Sequence, residues 1–378
     1  MKQRTLSHES ISPCIKRYYS SMIRYIASLV LLMNLLPAAF GQRINTDAIV
    51  KFWQVVDTLK KDHPLDDGLW NAYYNLPGNR VYMRENRDLA EALEHRKDLE
   101  CIFRPSLADS LQVLEADPST AKDDILANLL YIKAHERQLR SYSTLVISPS
   151  YLQECIGLAR QYIPKNRVKP VSSNLTIYLM AMTFDGATQD SSMYFGLARV
   201  FEYDRFRKGS LAGHEMHHEM RMDRKIQRKL SPADSAVFSA IDDINSEGSA
   251  DLIDKMLLLE NPGKIFRGAN TVHRLMTPAA RTIAVLDSCL KVNAARRTYV
   301  TYQQFSAIMN YSSGHMPGLY MVNIIRRNGL EDRLIEHDDD PFQFFYLYNQ
   351  AARKDPSKPP VFSDAAIEYL MRLDKHSL

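Results

Sequence analysis

The run Gly213-His214-Glu215-Met216-His217-His218 sets imidazoles and a carboxylate close together in the chain. On a helix, residues four apart project about 40° from one another, so His214 and His218 share one face. Two imidazoles one turn apart can bind a single tetrahedral zinc ion. Glu215 stands about 60° round from His218, too offset to share the ligand position but close enough to reach a zinc-bound water. His217, three residues from His214, could also chelate, but only His218 completes the H-E-x-x-H frame, and that pairing is preferred.

A catalytic zinc needs a third protein ligand and one open position. Asn245-Ser246-Glu247-Gly248-Ser249-Ala250-Asp251 lies downstream on a separate helical stretch, with Glu247 and Asp251 again one turn apart. Glu247 can supply a carboxylate oxygen to Zn2+. Asp251 can accept the far N–H of a liganding histidine and so fix its tautomer. The small residues between them suit close packing against the first helix.

H-E-x-x-H followed by E-x-x-x-D on the next helix resembles the gluzincins, the thermolysin-like clan of zinc metallopeptidases. The Glu247-Gly248-Ser249-Ala250-Asp251 form, the stretch Gly314-His315-Met316-Pro317-Gly318-Leu319-Tyr320-Met321 and the leader together resemble a family of secreted bacterial zinc-dependent peptidases. The clan likeness covers about residues 170–260; the family likeness extends over most of the mature chain with less specific motifs. The resemblance implies zinc ligands at His214, His218 and Glu247, a general base at Glu215 and an orienting carboxylate at Asp251. The gap of 29 positions from His218 to Glu247 is longer than in thermolysin itself, so the connection differs. The metzincin continuation is absent, since the chain reads Glu219-Met220-Arg221-Met222-Asp223.

The implied activity is hydrolysis of peptide bonds by a zinc-activated water, with Glu215 as base. A further donor is needed for the oxyanion; His315 leads Tyr311 and Tyr320, and His273 reads rather as a surface helix residue. The alternatives are a non-catalytic recognition protein that binds zinc on a zincin scaffold, and a zinc hydrolase of non-peptide amides or esters. Intact Glu215 argues against the recognition protein.

These residues need elements to hold them. Leu175 to Phe184 is rich in β-branched and aromatic residues and reads as a buried strand; Met193 to Phe201 reads as a second, and as the substrate-side edge. Gly209-Ser210 opens the H-E-x-x-H helix, which is expected to run into the charged stretch 219–229. Ser231-Pro232 caps the next helix, expected to reach about Glu260. Ile49, Phe52, Trp53, Val56 and Leu59 keep helical spacing, and helical stretches recur around 87–100, 106–115, 121–142 and 150–162. Residues 271–378 read as mainly helical. The fold class is α+β, mostly helical, a zincin-like core with a small sheet and an active-site helix. The division expected is 1–41 signal peptide, 42–165 N-terminal helical region and 166–378 catalytic region with a helical C-terminal part. Phe342, Phe344, Phe345, Tyr346 and Tyr348 read as core, and Asp338-Asp339-Asp340 as a solvated turn rather than a calcium loop.

Charge narrows the partners. Lys2, Arg4, Lys16, Arg17 and Arg24 face a single Glu9, so the whole formal surplus of +4 lies in the first 41 residues. The remainder is neutral, which removes the electrostatic support for nucleic-acid binding and leaves a peptide or protein substrate as the expected partner. The apolar run Tyr25 to Leu36, then Ala39 and Gly41, fits a signal peptide cleaved before Gln42, with Met1 or Met22 as the start. Export to the periplasm or beyond is therefore expected, with no stable membrane span after cleavage. Cys101, Cys155 and Cys289 remain. An odd number permits at most one internal disulfide, no pair has metal-ligand spacing, and buried apolar roles are expected.

Overall fold

The computed structural model describes residues 43–377 except 81–88, 118–123, 147, 184–185, 190–191, 225, 227–228 and 296–297. The expected signal peptide lies outside the described residues. Strand β1 (Arg43–Asn45) leads into α1 (Asp47–Leu59), which buries Ile49, Phe52, Trp53, Val56 and Leu59 as their spacing predicts. Helices α2 (Asp67–Tyr74), α3 (Leu89–Phe103), α4 (Ala108–Ala116), α5 (Asp124–Ala134), α6 (Glu136–Leu145) and α7 (Pro149–Ala159) follow.

The sheet comprises β1, β2 (Thr176–Met180), β3 (Gly186–Gln189) and β4 (Ser192–Gly196), in the order β1-β2-β4-β3. β2 pairs in parallel with β1 and β4, and β3 runs antiparallel to β4. The substrate-side edge expected of 193–201 is corrected on two counts. β4 is an inner strand, and it ends at Gly196, where α8 (Leu197–Asp204) begins. A short apolar run does not distinguish strand from buried helix. Here Leu197, Ala198, Val200, Glu202 and Tyr203 are buried with helical periodicity.

The H-E-x-x-H helix α9 (Ser210–Met220) ends two residues into the charged stretch 219–229, with Arg221 as its C-cap. Ser231 accepts from the Asp234 N–H and caps α10 (Pro232–Asp251) as expected. The single helix expected to reach Glu260 is two, because a turn at 252–254 separates α10 from α11 (Lys255–Glu260). The remainder is helical: α12 (Gly268–Met276), α13 (Ala279–Ala295), α14 (Tyr302–Ile308), α15 (His315–Arg327), α16 (Glu331–Glu336), α17 (Pro341–Lys354) and α18 (Asp364–Ser377). The chain is thus α+β and mostly helical. Among the described residues no helix is long and apolar enough to cross a membrane.

Two apolar clusters flank α9. One joins the N-terminal helices to the sheet and takes in Leu211, Ala212, Met216 and Met220 from α9 itself. Burial of each larger side chain contributes about 1.5–3 kcal/mol, so this face anchors the helix. The other gathers α10 and the C-terminal helices, including Phe342, Phe344, Phe345 and Tyr348 of α17. His214 and His218 face the seam between the two. Cys155 and Cys289 are buried, Cys101 is half-buried, and all three are free thiols.

Candidate metal centre

Three helices deliver side chains to one point. His214 and His218 come from α9, Glu247 from α10 and His315 from the first residue of α15. Glu247 Oε2 lies 3.3 Å from His214 Nε2, 3.3 Å from His218 Nε2 and 3.2 Å from His315 Nε2. The two α9 imidazoles are 3.2 Å apart at Nε2. Glu247 Oε2 is buried yet has no aligned hydrogen bond. A buried carboxylate oxygen left in that state is costly unless a cation takes it.

The far nitrogens are held separately. His214 Nδ1 lies 2.9 Å from Asp254 Oδ1, His315 Nδ1 3.0 Å from Asp251 Oδ1, and His218 Nδ1 3.0 Å from Ser246 Oγ. Asp251 therefore holds His315 closely and stands 3.8 Å from His214 Nδ1. The turn at 252–254 brings Asp254 beneath His214. Lys255 Nζ bridges the two aspartates, 3.0 Å from Asp251 Oδ1 and 3.2 Å from Asp254 Oδ2.

The electrostatics suit a dication. Glu247, Asp251 and Asp254 face the Lys255 ammonium, with the Arg199 guanidinium also acting on Asp254, and Asp251 and Asp254 are fully buried. Burial and the Lys255 charge both pull His214 down, but the Asp254 and Glu247 carboxylates outweigh them and raise it to about 10. Burial pushes Glu247 up, yet His218 and His315 hold it well below the usual carboxylate range. Without a metal, protons on imidazole balance the excess negative charge; a divalent ion can replace them.

His217 points elsewhere. It is fully buried, with Nε2 3.2 Å from Asp338 Oδ1. Burial pulls this imidazole below its ordinary value. The solvated turn expected at 338–340 is corrected accordingly. Asp338 is buried and its carbonyl accepts from Arg221 Nε and Asn245 Nδ2, Asp339 pairs with Arg167, and Asp340 caps α17. Each of these acidic residues has a cationic or polar partner from a distant segment or caps a helix, which a local reading of three aspartates cannot reveal.

Glu215, next to His214, accepts a 2.5 Å hydrogen bond from Thr188 Oγ1 on β3. Tyr311 is 75% exposed. Tyr320 lies among Arg327, Asp355 and Tyr348. His273 is exposed on α12 and pairs with Thr277. Of the oxyanion-donor candidates, His315 is the one that meets Glu247.

Close backbone approach sets these distances. Gly248 of α10 faces Gly318 of α15; a Cβ on Gly318 would stand 2.9 Å from both Gly248 N and Ile244 O. The small residues of α10 thus serve its crossing with α15. Gly314, with φ +101°, precedes His315, and a Cβ there would meet Asp243 O at 2.5 Å.

Asp254, Lys255, Ser246 and Thr188 have no sequence-based role. A signal for the first two exists in Ala250-Asp251-Leu252-Ile253-Asp254-Lys255-Met256-Leu257, where charges of both signs interrupt an apolar run. That pattern points to buried ion pairs. Nothing in the sequence ties Thr188 to Glu215.

Searches of curated proteins and of solved structures return no match. Residues 70–357 match the model of the family described as "Putative zinc dependent peptidase (DUF5700)". That span holds every residue of the candidate centre, and the chain belongs to this family.

Proposed function

We propose that the chain is a zinc metallopeptidase of the gluzincin type that hydrolyses peptide bonds. The observation that carries this reading is the convergence of two α9 imidazoles on the buried Glu247 oxygen, with carboxylates behind His214. His214, His218 and Glu247 would hold the zinc ion. When bound, zinc supplies Lewis acidity, making water nucleophilic near neutral pH and polarising a carbonyl. Glu215 takes the proton of the attacking water on its carboxylate and later returns it to the leaving amine. Thr188 donates to Glu215 Oε2 and so orients the base. His315, held by Asp251, faces the same point and is the side chain placed to donate to a substrate oxygen.

The peptide would add to β3, which pairs with β4 and no other strand among the described residues. Thr188 sits on that strand, so the hydrogen bond to Glu215 links the proposed docking edge to the base. Cleavage of a proteome-derived peptide library by the mature chain tests the activity, with Glu215→Gln as control. Cleavage by the zinc-loaded parent and none by the variant is expected. Equal inactivity of both on peptides and esters would favour the recognition-protein reading. Export follows from the leader. N-terminal sequencing from the native host should find a start near Gln42, and retention of residues 1–41 in the cytosol would refute it.

A further inference from the structure

The position of His315 differs from that of a simple donor. Its Nε2 is as close to Glu247 Oε2, at 3.2 Å, as the Nε2 atoms of His214 and His218 are at 3.3 Å. His214 and His218 complete a fourth such separation at 3.2 Å. Donor atoms around one tetrahedral ion with bonds of about 2.0–2.1 Å stand about 3.3–3.4 Å apart. These are four of the six edges of such a tetrahedron, and each matches to within about 0.2 Å; the rings of His214 and His315 lie 5.5 Å apart. The three to Glu247 Oε2 are poor as hydrogen bonds, since that oxygen accepts none in good alignment.

The far side of His315 agrees. Its Nδ1 meets Asp251 at 3.0 Å, as that of His214 meets Asp254 at 2.9 Å, and one lysine, Lys255, ties both aspartates. A carboxylate at Nδ1 places the proton there and leaves the Nε2 lone pair facing the centre. His214 and His315 are thus prepared in the same way, on two different helices.

We propose that His315 is a fourth protein ligand, so that in the substrate-free chain His214, His218, Glu247 and His315 close the metal centre. This rests on the three-ligand reading above and replaces the donor role of His315 in the resting state. A site with four protein ligands leaves no position for water. Turnover then requires His315 to yield its place, which makes it a resident inhibitor of the centre.

The test uses the full mature chain loaded with Co2+, read by visible absorption and by competition with a chelator. The parent should give a four-coordinate spectrum that does not respond to added azide; this readout needs no variant. His315→Ala, checked by thermal melting, should bind Co2+ at least about 100-fold more weakly, above the range of about 10–100-fold for losing an outer hydrogen-bond partner. Its spectrum should change with azide as the vacated position is taken. Parent affinity and spectrum in His315→Ala, or an azide response in the parent, overturns the fourth ligand while leaving the other three. Failure of the parent to bind Co2+ or Zn2+, or undiminished binding in His214→Ala, overturns both readings.

Discussion

Replacing Gly318 by alanine tests whether one helix crossing sets the spacing of the centre. The added Cβ would stand 2.9 Å from Gly248 N and from Ile244 O, both backbone atoms of α10, where an ordinary contact begins at 3.4 Å. Neither atom belongs to a flexible side chain, so α15 must move off α10 by roughly 0.5 Å. His315 starts α15 and Glu247 precedes Gly248, so the contact between them, now 3.2 Å, should lengthen by a similar amount. Overpacking of this kind costs about 1–3 kcal/mol, and the gain in helix propensity of alanine over glycine returns about 1 kcal/mol. The net loss of stability is then at most about 2 kcal/mol. Denaturant unfolding and chelator competition for zinc on one preparation separate these effects. Weaker zinc binding with only a small loss of stability is expected. An alanine variant more stable than the parent, with unchanged zinc affinity, would show that this crossing does not position Glu247 and His315.

Glu215→Gln should keep its zinc and lose about 10²–10⁴-fold in turnover, because the amide cannot accept the proton; elemental analysis beside a rate measurement checks this. His218→Ala should lose zinc, whereas His217→Ala should keep it and lose about 1–3 kcal/mol of stability by removing one partner of the buried Asp338, which keeps Arg221 and Ser249; zinc loss in the second variant would reverse the ligand frame. Asp204 offers a pH prediction. Burial raises its carboxyl to about 6, against hydrogen bonds from Tyr142 and Gly209 that favour the anion. Its protonated form therefore contributes stability that is fully present below about 4 and is lost as pH rises to about 6. Asp204→Asn should remove up to about 3 kcal/mol of that decline, so unfolding curves at pH 4 and pH 7 should lie closer together for the variant than for the parent.

Much of the centre is legible in the sequence because helical periodicity is local. The four-residue spacing of His214 and His218, and of Glu247 and Asp251, determines which side chains share a face before any packing is known. The cap at Ser231, the buried stripe of α1 and the aromatic core of α17 are readable for the same reason. Long-range placement is different. The break at 252–254 lies in an apolar run without glycine or proline, yet it brings Asp254 rather than Asp251 beneath His214. Whether Met193 to Phe201 is strand or helix depends on what covers each face, and the pattern of its side chains is compatible with both. His217 and Asp338 are 121 positions apart and meet only because α9 packs under the loop before α17. Likewise the arrival of His315 at Glu247 depends on two glycines that let α10 and α15 approach backbone to backbone. The sequence names the chemical groups and the faces they occupy; the tertiary contacts, which arise from burial across distant segments, decide which groups meet.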